Sequence, residues 1–188
     1  MEELLQLDKV LFLFLNGLGT EGWDGFWLIV TDKKSSIPLY ATLLFFTYKS
    51  FGLKRTLLVL LMVALLITVT DQLANFFKYG VKRFRPCHDE ALIELMRLVK
   101  NRCGGKYGYF SAHAGNSFAI ASFFVFLLQD RFKQYRYLLL VWAALVAYSR
   151  IYVGVHFPLD VLTGALIGLF FGWLFSKLYI FTHQKIRV

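Results

Sequence analysis

A chain of 188 residues that is 57% hydrophobic, 18% aromatic and only 18% charged, with a mean hydropathy of +0.55, is too apolar for an ordinary soluble domain and reads as an all-α, polytopic membrane protein. The length suits one domain over 1–188 with five to six transmembrane helices at about 20 residues each, 1–35 forming interfacial N-terminal helices and 36–188 the main bundle. A net charge of +9 comes with no recognition helix or stacking platform, so anionic lipid headgroups and phosphate esters explain its sign better than nucleic acid.

Residues 2–17 carry acidic and amide positions among Leu and Phe, the pattern of an amphipathic helix lying in the membrane interface. The start, Met1-Glu2-Glu3, lacks the basic region of a cleavable signal peptide, so this stretch is expected to stay in the mature protein. Gly17, Gly19 and Gly22 break it. A short aromatic piece, Trp23 to Val30, precedes a polar break at 31–36, and Ile37 to Tyr48 reads as a somewhat short first span. The clearest span follows Lys54-Arg55 and runs from Thr56 to Phe77, polar at its far end with Asp71, Gln72 and Asn75 ahead of Lys78.

Residues 80–110 form one long hydrophilic stretch with Arg85-Pro86, a helix-like piece from Glu90 to Lys100, and Gly104-Gly105. Cys87 and Cys103 both lie in it, and a disulfide or two free thiols are equally compatible with that placement. Ser111 to Leu128 is the next span, closed by a basic turn, Gln129 to Arg136, after which Tyr137 to Tyr148 leads to Ser149-Arg150. Pro158 opens the last span, which reaches Tyr179. Gly164, Gly168 and Gly172 give that span a small-residue face for close packing, with dimerisation the weaker alternative.

Alternation of these spans brings Lys78, Ser111, His113, Arg150, His156 and Asp160 to one side of the membrane. Lys49, Lys54, Arg55, Arg131, Lys133, Arg136, Lys177, Lys185 and Arg187 fall on the other, in keeping with the positive-inside rule. The first side is as basic, so charge bias alone sets orientation poorly. An arginine, a histidine and a carboxylate between two apolar stretches are costly, which points to chemistry at the membrane surface.

The polar residues fall into three blocks: Lys78 followed after six residues by Arg85-Pro86; Ser111-Ala112-His113; and Ser149-Arg150, five residues, His156, three residues, Asp160. In order and spacing these resemble the tripartite signature of the type 2 phosphatidic acid phosphatase (PAP2) family, over about Lys78 to Asp160. The resemblance implies a helical membrane bundle in which His156 is the nucleophile that forms a phosphohistidine, Asp160 orients it and His113 protonates the leaving group. It further implies that Lys78, Arg85, Ser111 and Arg150 hold the phosphate oxygens, with no metal or other cofactor.

That chemistry suits the residue types independently. Phosphoryl transfer needs the charge on the equatorial oxygens neutralised and the attacking and leaving groups held in line. A neutral imidazole attacks phosphorus once its other nitrogen is fixed by a carboxylate, and a second histidine serves as acid and then base. Ser111 and Pro158 set two helix N-termini at the anion site. One departure stands out: the family's second block usually reads Pro-Ser-Gly-His, against Phe110-Ser111-Ala112-His113 here. The amide of Ala112 still donates to phosphate, but a glycine-only backbone angle is denied to it.

Other polar residues have blander readings. Lys82 and Arg83 read as anchors to lipid headgroups; Asp71 and Asn75 share a helix face with Lys78 and read as bundle packing. Tyr107, Tyr109 and Phe110 read as interfacial aromatics, and Ser149 either holds phosphate or ends a helix. The expectation is an integral lipid-phosphate phosphatase of a bacterial inner membrane, with its site on the non-cytoplasmic face. The resemblance suggests undecaprenyl diphosphate, phosphatidylglycerophosphate and lipid A phosphate as substrates, and sequence does not choose among them or fix the oligomeric state. The alternative is a non-enzymatic membrane protein that binds or transports phospholipids with the same cations.

Overall fold

The computed structural model describes residues 2–100, 102–128 and 136–186. Among these it holds six α-helices: α1 Glu2–Gly17, α2 Glu21–Thr31, α3 Ile37–Val81, α4 Ala112–Leu127, α5 Leu138–Tyr152 and α6 Pro158–Ile186. The basic turn expected at Gln129 to Arg136, apart from Arg136, lies outside the described residues, as does Arg187. Lys33–Val81 and Pro158–Lys185 are long and apolar enough to cross a membrane, whereas α4 and α5 are shorter apolar helices.

The long α3 is two arms, not one rod. Gly52 breaks it with φ 75° and ψ 176°, a conformation open to glycine. Leu43 and Thr47 then line one cavity with Val59, Val63 and Ile67, so the chain doubles back at this point. Leu57, Leu61, Val141, Leu162, Leu166 and Phe170 stay exposed, an apolar exterior suited to lipid, while Leu66, Ala119, Phe123 and Ala143 are buried in the core.

The α6 helix lies directly on α4. A Cβ added at Gly168 would stand 2.9 Å from the Ala119 amide and 3.0 Å from the Phe118 Cβ; one at Gly164 would stand 2.6 Å from the Ser111 carbonyl oxygen. The glycine face is therefore used inside the chain, backbone against backbone, which is how small residues let membrane helices approach. It also places the α4 start beside the α6 start, where the Ser111 amide donates to the Asp160 carbonyl at 2.9 Å. Replacing Gly168 by leucine is expected to destabilise the fold by about 3 kcal/mol through forced separation of the helices. Thermal melting in detergent checks this; an unchanged midpoint would contradict the packing.

The α1 helix forms where the sequence places it, with its polarity turned the other way. Asp8, Phe12 and Asn16, spaced four apart, are buried, whereas Leu4, Leu7, Val10, Phe14 and Leu18 are exposed. An interfacial helix normally points its polar side to water, but here a protein surface with free backbone groups takes that side. Asn16 Nδ2 donates to the carbonyls of Arg97, Ile151 and Tyr152 at 3.0, 3.1 and 2.9 Å, and its Oδ1 accepts from the Arg97 amide at 2.7 Å. The amide thus closes the end of α5, whose last carbonyls have no helical partner.

The expected helix over Glu90 to Lys100 is instead a set of turns through Leu95, with bonds from the Leu92 amide to the Asp89 carbonyl and from the Met96 amide to the Leu92 carbonyl. Asn16 and Gly154 hold the segment that follows extended: Asn16 bonds both backbone groups of Arg97, and a Cβ on Gly154 would stand 2.5 Å from the Arg97 carbonyl oxygen. Tertiary contacts outweigh the local helical preference here. Cys87 and Cys103 form a disulfide with a Cα–Cα distance of 5.9 Å.

Candidate active site

Three structural devices bring the polar blocks together. The first is a short antiparallel pairing that closes the loop between α3 and α4. The Arg85 amide donates to the Lys106 carbonyl at 3.2 Å and the Gly108 amide to the Arg83 carbonyl at 2.9 Å. In such an extended segment alternate side chains share a face. Phe84 stacks on Tyr107 at 5.7 Å on one side, and Arg83 and Arg85 point together to the other.

The second device is the tight turn after α5. Gly154, at φ 82°, reverses the chain at the helix end, as glycine does after many helices. The Val155 amide returns to the Arg150 carbonyl at 3.1 Å, and His156 follows at 2% exposure. The third is the paired start of α4 and α6, which sets Ser111, His113 and Asp160 on adjoining first turns.

His156 is the centre of the assembly. Its Nδ1 lies 3.5 Å from Asp160 Oδ2, one helical turn along, and its Nε2 lies 3.4 Å from Arg85 Nη1. Asp160 is fully buried, and its Oδ2 also accepts from the Phe157 amide at 3.0 Å. Arg85 is steadied by the carbonyls of Tyr107 at 3.3 Å and Val155 at 3.4 Å. Burial first, and then the charges of Arg85, Arg150 and Lys78, hold the His156 imidazole well below its usual range, so it is neutral at neutral pH.

This has a consequence for stability. An unfolded histidine takes up a proton near about 6.5, and His156 in the folded chain does not. Below that pH the unfolded state binds the extra proton, so stability present above it is lost as pH falls toward the depressed folded value. Between pH 7.5 and 5.5 the melting temperature of the wild type is expected to fall relative to that of His156→Gln. Parallel curves for the two proteins would contradict the assignment.

Arg150, at 7% exposure, lies in the last turn of α5 and donates Nη1 to the hydroxyl of Thr31, the buried last residue of α2. Its Nε has no hydrogen-bond partner among the described residues. A buried guanidinium with an idle donor beside a neutral histidine is a fit for an anion. It is not a headgroup anchor, since its charge lies inside the bundle. Lys78 is half-buried and contributes charge to His156. Ser111 is fully buried as the N-cap of α4, its oxygen 3.5 Å from the Ala114 amide. Ala112 begins that helix; among the described residues only Lys82 of the non-glycine positions has positive φ, so this turn does not require glycine.

His113 lies in the first turn of α4. It opens onto a cavity of about 210 Å³ shared with Thr31, Lys33, Asp71, Asn116 and Trp142. Asn116 Nδ2 donates to Asp71 Oδ1 at 2.8 Å, and the Thr70 hydroxyl meets Asn116 Oδ1 at 2.5 Å. All eight residues singled out from the sequence thus fall in this region, at the ends of α3 to α6 and in the loop.

Residues 55–183 match the PAP2 superfamily. The chain belongs to the PAP2 superfamily. It is accordingly a phosphatase of the PAP2 type, a hydrolase of phosphate esters. The PAP2 chain is 38% identical to a lipid A 4'-phosphatase of Bacteroides thetaiotaomicron, over 98% of its own length and 80% of that relative. Its structure aligns with crystalline Aquifex aeolicus LpxE at a TM-score of 0.66 and 29% identity, covering 91% of this chain and 95% of the other. It also aligns with the transmembrane PAP2-type phosphatidylglycerolphosphate phosphatase of Bacillus subtilis at 0.73 and 18% identity, over 97% and 88%, a likeness that shows the fold.

Several details of this PAP2 site depart from the sequence reading. Arg83 is no headgroup anchor: it lies 3.1 Å from Asp160 Oδ1 and 2.5 Å from Asp8 Oδ2. Lys82 is exposed and, in a left-handed conformation, caps α3. Phe110 is fully buried against Phe77, not interfacial, and Tyr109 is held by the Thr163 hydroxyl at 3.0 Å. Asp71 faces the cavity and is bonded to Asn116, while Asn75, one turn further along α3, is exposed. Ser149 is buried and donates to the Val146 carbonyl of its own helix, 2.6 Å away, as a residue of the last turn of α5. Thr31, Gly108 and Asp8 carry no motif and were not legible. A Cβ on Gly108 would stand 3.2 Å from Asp160 Oδ2.

Proposed function

We propose that this phosphatase removes phosphate from a lipid A-type glycolipid phosphate through a phosphohistidine on His156, without a metal. The observation that carries the reading is the histidine itself: neutral, with Nδ1 toward a buried carboxylate and Nε2 toward Arg85. Nε2 attacks phosphorus as the P–O bond to the lipid breaks on the opposite side. Lys78, Arg85 and Arg150, with the Ser111 side chain and the first amides of α4 at Ala112, balance the three equatorial oxygens. Asp160 Oδ2 faces Nδ1 at 3.5 Å, so the positive charge that forms on the ring is met by a carboxylate. His113 gives its proton to the departing alkoxide, then takes one from the water that cleaves the N–P bond and releases inorganic phosphate.

The cavity at His113 lies on the leaving-group side of this scheme. Its walls are partly apolar, and Asp71, Asn116 and Lys33 offer polar partners to sugar hydroxyl and amide groups. The lipid A 4'-phosphatase of Bacteroides thetaiotaomicron, alike over nearly the whole chain, supports a substrate of that class. Five membrane crossings are proposed: both arms of α3, then α4, α5 and α6, with α1 lying in the interface. The disulfide at the mouth of the site favours an oxidising compartment, and so a periplasmic or exterior face of the inner membrane.

A phosphate-release assay on purified protein in micelles, with chelator present, tests the substrate. Glycolipid monophosphate is expected to turn over faster than isoprenyl diphosphate or phosphatidylglycerophosphate. A tail-less sugar phosphate should be at least about 100-fold slower, since remote binding energy is lost with the tail. Equal rates with and without the tail, or a requirement for a divalent metal, would contradict the proposal.

A further inference from the structure

Two buried carboxylates share one guanidinium beside the nucleophile. Arg83 Nη2 is 2.5 Å from Asp8 Oδ2 and its Nη1 is 3.1 Å from Asp160 Oδ1; side-chain exposure is 14% for Arg83, 1% for Asp8 and 0% for Asp160. The guanidinium carbon lies 4.1 Å from the centre of the Phe157 ring, which fixes its plane. The second oxygen of Asp8 accepts from the Leu159 amide at 2.9 Å, one of the α6 first-turn donors that lack a helical partner.

Each link in the series Asp8, Arg83, Asp160, His156 is thus no longer than 3.5 Å. Its beginning lies on α1, whose opposite side is exposed and apolar. Ion pairs at this depth rarely add net stability, because desolvation offsets the attraction. They do fix geometry, and what this one fixes is the carboxylate on which the nucleophile depends. Without Arg83, Asp160 would be a fully buried carboxylate held at Oδ2 by the Phe157 amide alone, and its Oδ1 would lose the guanidinium that fixes the plane of the group.

We infer that Asp8 and Arg83 are positioning residues for phosphoryl transfer, holding Asp160 so that it orients His156 and tying that alignment to the seating of α1. The inference rests on the histidine-nucleophile reading above. Neither residue touches substrate in this scheme, so both should alter the chemical step and not binding.

The test is steady-state and single-turnover kinetics of the full chain in micelles for wild type, Arg83→Gln, Arg83→Lys and Asp8→Asn. Arg83→Gln is expected to lower kcat by about 10-fold to 100-fold, the usual cost of removing a partner behind a histidine–carboxylate pair, with KM within about 2-fold. Arg83→Lys should recover part of the loss. Asp8→Asn should lower kcat by about 3-fold to 10-fold, and the Asp8→Asn, Arg83→Gln double variant no more than Arg83→Gln alone, because one path is shared. A rise in KM at constant kcat, or rates for Arg83→Gln and Asp8→Asn within about 2-fold of wild type, would overturn the inference. Should Arg83→Gln fail to fold, the near-isosteric Asp8→Asn carries the same test. His156→Ala in the same assay separates the two claims: its failure to lose activity sinks the nucleophile, whereas its inactivity beside unaltered Arg83 and Asp8 variants sinks only the positioning.

Discussion

Replacing His156 by alanine is expected to lower phosphate release by on the order of 10⁴-fold to 10⁶-fold while lipid phosphate still binds, since loss of a covalent nucleophile removes the whole route. Several features of the structure make the loss specific. The ring is 2% exposed, enclosed between Asp160 and Arg85. His113 stands at the adjoining start of α4 and is assigned to the leaving group in the proposed scheme, not to attack. A binder that uses these cations without chemistry would lose little on the same substitution. The Lys78, Arg85 and Arg150 charges remain in the variant, so titration of the lipid substrate should give an affinity within a few-fold of wild type, or tighter, as the pocket loses no cation. Weak binding in His156→Ala would mean that the ring supports the anion site and does not attack.

Arg150→Gln is expected to lower kcat/KM by about 10² to 10³, the effect of deleting one fixed donor aimed at developing charge. Arg150→Lys should recover only a fraction, because an ammonium cannot both reach the Thr31 hydroxyl and present a planar donor pair to phosphate. The position of the guanidinium decides the size of the effect. Its Nε has no partner among the described residues, and its backbone carbonyl takes the Val155 amide, one residue before His156. A surface anchor would tolerate lysine fully. Wild-type kcat/KM in Arg150→Lys would therefore contradict a direct role for the guanidinium at phosphate.

The same physical logic explains which parts of the protein were legible in its sequence. The helices after Arg55 are apolar and bounded by polar residues, charge or proline, so their positions follow from the cost of placing polar backbone and side chains in lipid. The three motif blocks stand at span ends, which is why alternation alone brings Lys78, His113 and His156 to one side. In contrast, Asp8 and Asn16 are spaced for one helix face, yet nothing local says whether that face meets water or protein. Their partners, Arg83 and the carbonyls of Ile151 and Tyr152, come from remote stretches of the chain.

Arg83 was misread for a related reason. Beside Lys82 it looks like one of two basic anchors; only pairing with Tyr107 and Gly108 makes the segment extended and turns residues 83 and 85 the same way. An alternation of Arg, Phe and Arg before a proline was the available signal. The turns at 90–95 misled through composition, because Glu90 to Lys100 has helix-forming residues but Asn16 takes both backbone groups of Arg97 and stops a helix there. At Ala112 the concern over a missing glycine dissolves, since Ser111 caps α4 and residue 112 simply starts the helix.

The central claim, covalent catalysis by His156, is tested most directly by acid-free quenching of the enzyme with a ³²P-labelled lipid phosphate and mapping of the labelled peptide. The account predicts acid-labile phosphate on His156, formed and lost at rates consistent with turnover, and none in His156→Ala. Label on another residue, or undiminished release by His156→Ala with no labelled enzyme, would contradict it.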